Sequence, residues 1–435
     1  GPYSDAVRAR TKIAIVGMLA LGIGLPAVAL GPEDSIDRPV TATRTAERVT
    51  PVAVDVVTIY NSGNLKADVA SRAESAARSA GATLAFGRAA SVPMTGLYRG
   101  SAPVQLPPLG FAYPMGTTVL PHEVVARTMG DEVAQLLTPD TLVMGEVSAG
   151  LRGAQAGDTV LLTASSGTTT SFRIAAVLPA DRVGGTELLM SPQAGERLGI
   201  VQLSRAVIWG FPSRAAIDGA LVANGLVSTS VRIRRSWDPA DPDGTIGMAQ
   251  TKATLGEFAY RVNSNGSVSQ DDAWVNTYLP AGRELLDGSI PIVARCHNSV
   301  KPAIRAALAE VAAAGLAATI NVNDANTAGG CHLARFNRLT PDSALGFLSR
   351  HSWAMAIDTN TTGSCQGCAP PDLDCRTVRI FRKHGFAWGG NFLTPDGMHF
   401  EWVGERRDLL AYPSRFCPNV ATGALSLDNS ESGAE

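Results

Sequence analysis

The stretch "LSRHSWAMAIDTN", Leu348–Asn360, places a histidine and an aspartate seven residues apart in a segment without a regular helical or strand period. A second stretch, "PDGMHFEW", follows at 395–402 and supplies another histidine. Hydrolytic zinc sites take three ligands from His, Asp or Glu and leave one position for water. His351, Asp358 and His399 could form such a site if the chain turns between the first two and the third lies on an adjacent strand. Spacing alone leaves open that they are unrelated polar residues.

Composition sets limits on the class of protein. A chain of 435 residues exceeds a single small core and predicts two or three domains. The net charge of −2 and the pI near 6.4 do not provide the basic face that nucleic-acid binding requires. No run of Lys and Arg interleaved with aromatic residues occurs. We therefore expect a globular protein that binds no nucleic acid.

The cysteines are confined to the C-terminal part of the chain. All six lie in the last 140 residues. An even number in one region predicts disulfides formed in an oxidising compartment, with Cys296–Cys331 as one pair. The alternative is structural zinc at Cys365-x-x-Cys368, but no second CxxC and no histidine pair completes such a site.

The N-terminus predicts export from the cytoplasm. The segment "IAIVGMLALGIGLPAVAL", Ile13–Leu30, is eighteen residues without a charge, which is enough to span a bilayer. Basic residues precede it and acidic residues follow, so residues 1–12 are expected in the cytoplasm and the remainder outside. The alternative is a cleaved signal peptide, since Ala27-Val28-Ala29 offers a processing site. Residues 31–51 have the composition of a linker.

Residues 52–235 predict a mixed α+β domain. "PVAVDVVTIY" is typical of a strand, and the helix after it places Val69, Ala73, Ala76 and Ala77 on one face. Gly81 ends that helix, and a second strand follows. Further short strands and a hairpin continue to about residue 235.

This middle region resembles the extracytoplasmic domains of ABC-exporter permeases of the macrolide-exporter and lipoprotein-release type, on the pattern "LRGAQAGDTVLL…FRIAAVLP…GGTELLMSPQAGERLGI". The resemblance implies a module that contacts an envelope protein partner and performs no chemistry. Residues 236–280 begin with the Pro, Asp and Gly of a linker. Residues 419–435 are small and polar and predict a disordered tail.

Residues 281–418 predict a small α+β domain with long loops. "SVKPAIRAALAEVAAAGL" and "CRTVRIFRKHG" are typical of amphipathic helices. Long irregular loops in a compact domain usually carry function. If zinc is bound there, it lowers the pKa of its bound water to about 7, and a nearby carboxylate such as Asp396 can take the proton.

Two motifs in this region resemble those of the zinc D,D-peptidases, the family of vancomycin-resistance carboxypeptidases and phage L-alanyl-D-glutamate endopeptidases. "SRHSWAMAID" is similar to S-x-H-x-x-G-x-A-x-D, and "GFAWGGNFLTPDGMHFEW" is similar to the second motif, in which an acid precedes M-H-F-E. The resemblance implies a zinc-peptidase domain with an antiparallel sheet. The residue roles that it implies are zinc ligands at His351, Asp358 and His399, a general base at Asp396, substrate contact at Ser349, and an upstream arginine on the substrate carbonyl.

For that arginine, Arg335 ranks ahead of Arg338, which is kept as a substrate-binding candidate. Two positions depart from the family pattern. Ala354 stands where the motif has glycine, which adds a methyl group at a possible tight turn. Asp396 stands where part of the family has Glu, so its carboxylate reaches one methylene less.

Together these patterns predict a single-pass protein of the bacterial cell membrane, or a secreted protein if the N-terminal segment is cleaved. Its expected activity is zinc-dependent hydrolysis of an amide bond in the peptidoglycan stem peptide, as in a D-alanyl-D-alanine carboxypeptidase. One alternative is an L-alanyl-D-glutamate endopeptidase. Another is a non-catalytic wall-binding or scaffold protein of an envelope complex.

Overall fold

The structure is a computed structural model that describes residues 54–227, 231–327, 330–339 and 344–419. The predicted membrane or signal segment Ile13–Leu30 and the linker after it lie outside the described residues, as does nearly all of the predicted tail. Among the residues that are described, no helix has both the length and the apolar character to cross a membrane.

The first part of the described chain, which we call the middle module, extends to residue 235. Its strands are β1 Val56–Tyr60, β2 Thr83–Arg99, β3 Ala102–Gln105, β4 Tyr113–Val119, β5 Thr141–Gly145, β6 Thr159–Thr163, β7 Thr169–Leu178, β8 Leu188–Met190, β9 Leu203–Trp209 and β10 Arg232–Arg235. Its helices are α1 Ala67–Ser79, α2 His122–Met129, α3 Asp131–Gln135, α4 Glu146–Arg152, α5 Pro192–Arg197 and α6 Arg214–Ala223, with a 3₁₀ helix at Ala180–Arg182.

Helix α1 forms where the periodicity predicts it. Val69, Ala73, Ala76 and Ala77 are its buried residues, and they pack into a cluster with apolar side chains of β1 and β9. Gly81, just past the helix, has φ +63°, a left-handed conformation that favours glycine. The prediction of this helix and its buried face is confirmed.

The strands of the middle module form one sheet in the order β10-β1-β9-β2-β4-β8-β5-β7-β6, with β3 beside β2. The long strand β2 also pairs with β6, which closes the path from β2 through β4, β8, β5 and β7 to β6 into a ring. Alternate residues of these strands point inward because side chains along a strand change face at every residue. Val92, Met94, Val160, Leu162 and Phe172 are among the side chains buried there.

The C-terminal part contains shorter elements. Its strands are β11 Tyr260–Val262, β12 Val268–Gln270, β13 Glu284–Leu285, β14 Val293–Ala294, β15 Ala356–Asp358, β16 Phe386–Trp388 and β17 His399–Trp402. Its helices are α7 Met248–Leu255, α8 Asp272–Tyr278, α9 Lys301–Ala313, α10 Val322–Thr327 and α11 Cys375–Lys383, with 3₁₀ helices at Ala317–Thr319, Arg350–Trp353 and Gly389–Asn391.

The segment 236–280, predicted as a linker, carries α7, the β11–β12 hairpin and α8 in the structure. Leu255, Phe258 and Trp274 are buried in the same apolar cluster as the C-terminal helices. The Phe258 and Trp353 rings lie 4.5 Å apart between centroids. The Pro-, Asp- and Gly-rich composition at its start covers only its first residues, and the rest contributes to the C-terminal core. The division of the chain into domains stays a prediction.

Three disulfides join Cys296 to Cys331, Cys365 to Cys368, and Cys375 to Cys417. The pair predicted from the sequence, Cys296–Cys331, is therefore present, and both cysteines of the CxxC sequence are bonded to each other rather than available to zinc. Large mixed and small antiparallel sheets with helices packed beside them give a mixed α+β fold, as predicted.

Candidate metal and active site

A three-stranded antiparallel sheet in the order β15-β17-β16 positions two of the predicted metal ligands. Asp358 is the last residue of β15 and lies directly opposite His399, the first residue of β17. Opposed residues of adjacent strands bring their Cβ atoms to about 5 Å when they share a face. The pairing register thus brings together two side chains that are 41 residues apart in the chain.

His351 reaches the same point from the 3₁₀ helix before β15. The Ser349 side chain caps that helix and accepts a hydrogen bond from the His351 N–H at 3.4 Å. The helix ends at Ala354, whose φ of +52° is left-handed. This is the position where the zinc D,D-peptidase motif has glycine, and the backbone there does turn tightly. Holding a non-glycine residue in this conformation costs about 1 kcal/mol or slightly more.

The two histidine side chains converge on one carboxylate oxygen of Asp358. Asp358 Oδ1 is 3.2 Å from His351 Nε2 and 3.0 Å from His399 Nδ1. The possible ligand atoms of the three residues all lie within 4.8 Å of one another, and all three residues are buried. His351 Nε2 has no hydrogen bond of good geometry to any described residue. Two imidazole nitrogens and a carboxylate at this spacing fit a zinc ion with a fourth position left open.

Each histidine is oriented through its other nitrogen. His351 Nδ1 is 3.1 Å from the carbonyl oxygen of Cys331, which the disulfide to Cys296 ties to the core. His399 Nε2 is 3.3 Å from Glu401 Oε2. Metal-binding histidines characteristically donate the other N–H to a carbonyl or carboxylate, which fixes the ring and its tautomer. Both rings therefore direct the remaining nitrogen to the shared centre.

The surrounding charges favour a cation at this centre. Burial alone would raise the pKa of Asp358, but the close contacts with the His351 and His399 rings hold it well below its usual range. Burial would lower the pKa of His399, but Asp358 and Glu401 raise it to about 10. Two carboxylates thus favour positive charge between the rings, and a divalent cation would supply that charge.

Asp396 lies in the loop that leads into β17. Its N–H donates to the Gly389 carbonyl at 2.8 Å, and its own carbonyl accepts from His399 N–H at 3.0 Å. A Cβ at Gly389 would stand 2.4 Å from the Asp396 carbonyl oxygen, so only glycine fits against this loop. Asp396 Oδ1 is buried without a hydrogen-bond partner among the described groups, and burial raises the pKa of the carboxyl.

The other predicted residues line the same cavity, which has a volume of about 600 Å³. Ser349 is buried, and its N–H donates to the Arg335 carbonyl at 2.9 Å. Arg335 is half-buried, its Nε has no hydrogen-bond partner in the described part of the chain, and burial followed by the charge of Arg338 lowers its pKa. Arg338 is exposed at the rim. Which arginine contacts substrate stays a prediction.

The ion pair that holds Glu401 in place was not predicted from the sequence. Arg350 Nε lies 3.2 Å from Glu401 Oε1, and the Arg350 guanidinium also donates to Thr251 Oγ1 at 2.8 Å and to the Ile246 carbonyl at 2.6 Å. His399 and Glu401 are two residues apart on β17 and so share a face, which is a signal that the sequence does contain. The contribution of the 246–251 segment has no such signal, because it depends on the packing of a distant segment.

Comparison with known families identifies the class to which this site is similar. Residues 343–402 match a family model described as D-alanyl-D-alanine carboxypeptidase, a zinc-dependent group of peptidases. The matched segment contains the His-Asp-His cluster and Asp396, and it confirms the resemblance predicted for the C-terminal region. The match covers less than a sixth of the chain. No curated protein matches the chain.

Proposed function

We propose that this protein is a zinc-dependent peptidase that hydrolyses an amide bond in the stem peptide of peptidoglycan, with the D-alanyl-D-alanine bond as the first substrate to test. The observation that carries the proposal is the convergence of His351 and His399 on Asp358 Oδ1 inside an open cavity, with the partly buried Asp396 beside them. The family match over 343–402 supports the same class of chemistry.

His351, Asp358 and His399 would hold the zinc ion. When bound, zinc supplies Lewis acidity, which acidifies a coordinated water and polarises the substrate carbonyl. Asp396 would take the proton of the attacking water on its carboxylate and return it to the leaving amine. Burial raises the pKa of Asp396 from the ordinary range for Asp, and a base and acid used in turn works best with a pKa nearer the working pH.

Arg335 would stabilise the negative charge that develops on the carbonyl oxygen. Its unpaired Nε and its half-buried position make the guanidinium available in a region shielded from water, where a fixed donor has a larger effect than in bulk solvent. Ser349 would contact the peptide from the same wall of the cavity.

The location that we propose is the bacterial envelope, outside the cytoplasm. Three disulfides in the C-terminal part support an oxidising compartment. Anchoring through Ile13–Leu30, and an envelope partner for the middle module, are further parts of this proposal that rest on the sequence.

The test measures bound metal and peptide cleavage in three proteins: the unaltered chain, His351→Ala, and His384→Ala. His384 is a matched control, since it pairs with Glu310 at 2.7 Å and lies outside the cluster. We expect about one zinc per chain in the unaltered protein and in His384→Ala, and none in His351→Ala. Mass analysis of digested stem peptides would identify the bond that is cut.

Absence of zinc from the unaltered protein would refute the catalytic proposal. Zinc without cleavage of any stem peptide would favour the wall-binding or scaffold alternative. Cleavage between L-Ala and D-Glu, with the D-Ala–D-Ala bond intact, would identify an endopeptidase instead of a carboxypeptidase.

A further inference from the structure

The cavity at the metal site has walls from two parts of the chain. The C-terminal part contributes the metal cluster, Asp396 and Arg335. The middle module contributes the end of β1 and the loop after it, residues 60–63, and Arg232 on β10. A cavity of about 600 Å³ is in the range that encloses a ligand of several residues or a drug-sized molecule. It therefore has room for more of a peptide than the two residues that flank a cleaved bond.

The loop after β1 is fixed directly against the loops that carry the candidate catalytic residues. Ser62 Oγ and Thr394 Oγ1 are 2.5 Å apart, and Thr394 is two residues before Asp396. Gly63 has φ +74°, and a Cβ there would stand 2.9 Å from the carbonyl oxygen of Leu339, next to Arg338. These contacts mean that the middle module forms part of the cavity at a defined position.

Arg232 brings a positive charge into this wall that the described residues compensate only partly. Its Nη2 donates to the Asn391 carbonyl at 2.6 Å, and its Nη1 lies 3.7 Å from Asp241 Oδ2. That same carboxylate oxygen is 2.5 Å from Arg234 Nη2, so two guanidinium groups share one acid. Burial, followed by the charge of Arg234, lowers the pKa of Arg232. A partly buried guanidinium whose charge is incompletely neutralised favours an anionic ligand.

Among the described residues, the acids that face the cavity are already engaged, apart from Asp396. Asp243 pairs with Arg382 at 2.6 Å, Glu401 pairs with Arg350, and Asp358 belongs to the metal cluster. Arg335 and Arg338, in contrast, make no ion pair with any described acid. The described residues therefore make the cavity surface cationic at the middle module and along the Arg335–Arg338 loop.

We propose that Arg232 and the loop at residues 60–63 form a subsite that binds a free carboxylate of the peptide beyond the cleaved bond. This inference rests on the proposed function for the identity of the ligand. It assigns the middle module a part in substrate selection. A stem peptide carries carboxylates both on its acidic residues and at its C-terminus, and either could occupy the subsite.

The test measures binding of a stem pentapeptide by calorimetry to full-length protein with Asp396→Asn, so that the peptide is not consumed. Arg232→Gln and Arg232→Lys are added to that background. Arg235→Gln is the matched control, because Arg235 lies on the same strand but pairs with Asp218 outside the cavity. We expect Arg232→Gln to weaken binding about tenfold, which is the loss of one charge-assisted hydrogen bond. Arg232→Lys should give a smaller loss, and Arg235→Gln and the metal content should be unchanged.

Amidated peptides identify the carboxylate. Amidation of the group that Arg232 binds should weaken binding to the protein with an unaltered Arg232 about tenfold, and it should remove the difference in affinity between that protein and the Arg232→Gln variant. Amidation of the acidic residue and of the C-terminus, each alone, distinguishes the two sources.

Equal affinity of the Arg232→Gln variant and its parent for the free peptide would overturn the inference. It would also be overturned, even if Arg232→Gln failed to fold, by the finding that neither amidation weakens binding to the parent protein. A protein that binds the peptide with this dependence on Arg232, but cuts no stem peptide in its unaltered form, would refute the proposed function and leave the subsite supported.

Discussion

Two of the buried clusters of ionisable side chains in the described part of the chain differ in how their members are paired. The first is the metal cluster with its neighbour Asp396. The second, which we call the interface cluster, consists of Arg152, Glu187, Lys252 and Glu257 and joins helix α7 to the middle module. The three ligand residues of the first cluster and the side chains of the interface cluster are almost inaccessible to solvent, so burial alone does not distinguish a functional site from a structural one.

The interface cluster balances two cations against two carboxylates. Lys252 Nζ is 3.0 Å from both carboxylate oxygens of Glu187 and 3.1 Å from Glu257 Oε1, and it also donates to the Pro114 carbonyl. Arg152 pairs with Glu257, and the Gly116 N–H donates to Glu187 at 2.8 Å. Every carboxylate in it has a cationic partner, which is what a buried ionic network requires to be tolerated. Arg152 Nε has no hydrogen-bond partner among the described residues, but Arg152 does not line the cavity at the metal site.

The metal cluster is left incomplete by its own residues. His351 Nε2 and Asp396 Oδ1 are buried without a hydrogen-bond partner of good geometry among the described residues, and both border the open cavity. Unpaired buried polar atoms are costly unless a ligand, ion or substrate completes them. Unpartnered buried polar atoms beside a cavity, rather than burial or charge density alone, therefore indicate the functional site.

The largest expected effect concerns Asp396, the neighbour of the incompletely paired metal cluster. Asp396→Asn keeps the shape of the side chain and removes its ability to accept a proton. We expect the rate of stem-peptide cleavage to fall about 10² to 10⁴-fold, the usual contribution of a general base. Zinc content and the thermal unfolding midpoint should be nearly unchanged, because Asp396 is not among the three clustered ligands. Retention of full activity would show that Asp396 is not the base.

A substitution in the interface cluster should affect stability and not metal binding. Lys252→Met leaves Glu187 and Glu257 with one cation between them, and removal of one partner from a buried network costs about 3–5 kcal/mol. Urea unfolding measures the loss, and zinc content should stay the same. The matched control is Lys301→Met, whose ion pair with Glu284 at 2.5 Å is partly exposed and should change stability by about 1 kcal/mol or less. Equal losses in the two variants would contradict the distinction.

His297 is a buried histidine outside both clusters, and its hydrogen bonds are complete. The pH dependence of stability tests whether this residue has a structural role. His297 Nε2 donates to the Leu255 carbonyl at 3.1 Å, and its Nδ1 accepts from the Ser299 N–H at 3.1 Å, so the neutral ring is fully satisfied. Burial lowers the pKa of His297 to about 4, from the ordinary value of 6.5. Below pH 6.5 the unfolded chain binds the proton and the folded chain does not, so the stability from this group falls as pH drops to about 4.

The loss should approach about 3 kcal/mol at the acid end of that window. It is measured as the difference in unfolding free energy between the unaltered protein and His297→Gln at about pH 7 and about pH 4.5, near the two ends of the window. The difference should narrow at the lower pH, because only the protein with His297 loses this contribution. A difference that stays constant with pH would mean that His297 titrates normally.

The smallest expected effect concerns Glu401, which contacts His399 in the metal cluster, and it is measured as a change in zinc affinity. Glu401→Gln keeps an oxygen for His399 Nε2 and removes the charge that the pair with Arg350 stabilises. We expect zinc affinity to fall about 10 to 100-fold, as for other groups that orient a metal ligand. Competition with a chelator measures it. Glu310→Gln, at a partly exposed carboxylate that contacts Lys383 and His384, is the control and should leave zinc affinity unchanged.

Much of the local structure follows from the sequence. The face of helix α1 was predictable because apolar residues recur at helical spacing, and α9 and α11 lie within the amphipathic stretches that predict them. The resemblance of the two motifs to those of the zinc D,D-peptidases predicted that His351, Asp358 and His399 would group, and the structure brings them together. Their catalytic and binding roles, with those of Asp396, Arg335, Arg338 and Ser349, stay predictions.

Local sequence patterns do not predict structure that depends on contacts between distant segments. The segment 236–280 has linker-like residues at its start, yet Leu255, Phe258 and Trp274 bury their side chains in the C-terminal core. The energy that orders them comes from burying apolar area against residues far along the chain, which periodicity in a short window does not record.

The residue types of the site, their order and the helices that flank it follow from the amino-acid sequence, since these depend on side-chain chemistry and on interactions within a few residues. The folded chain adds the register that sets Asp358 opposite His399, the link from Arg350 to Glu401, and the contribution of residues 60–63 to the cavity wall. Each of these joins segments far apart in the chain, and their pairing is fixed by the packing of the whole core.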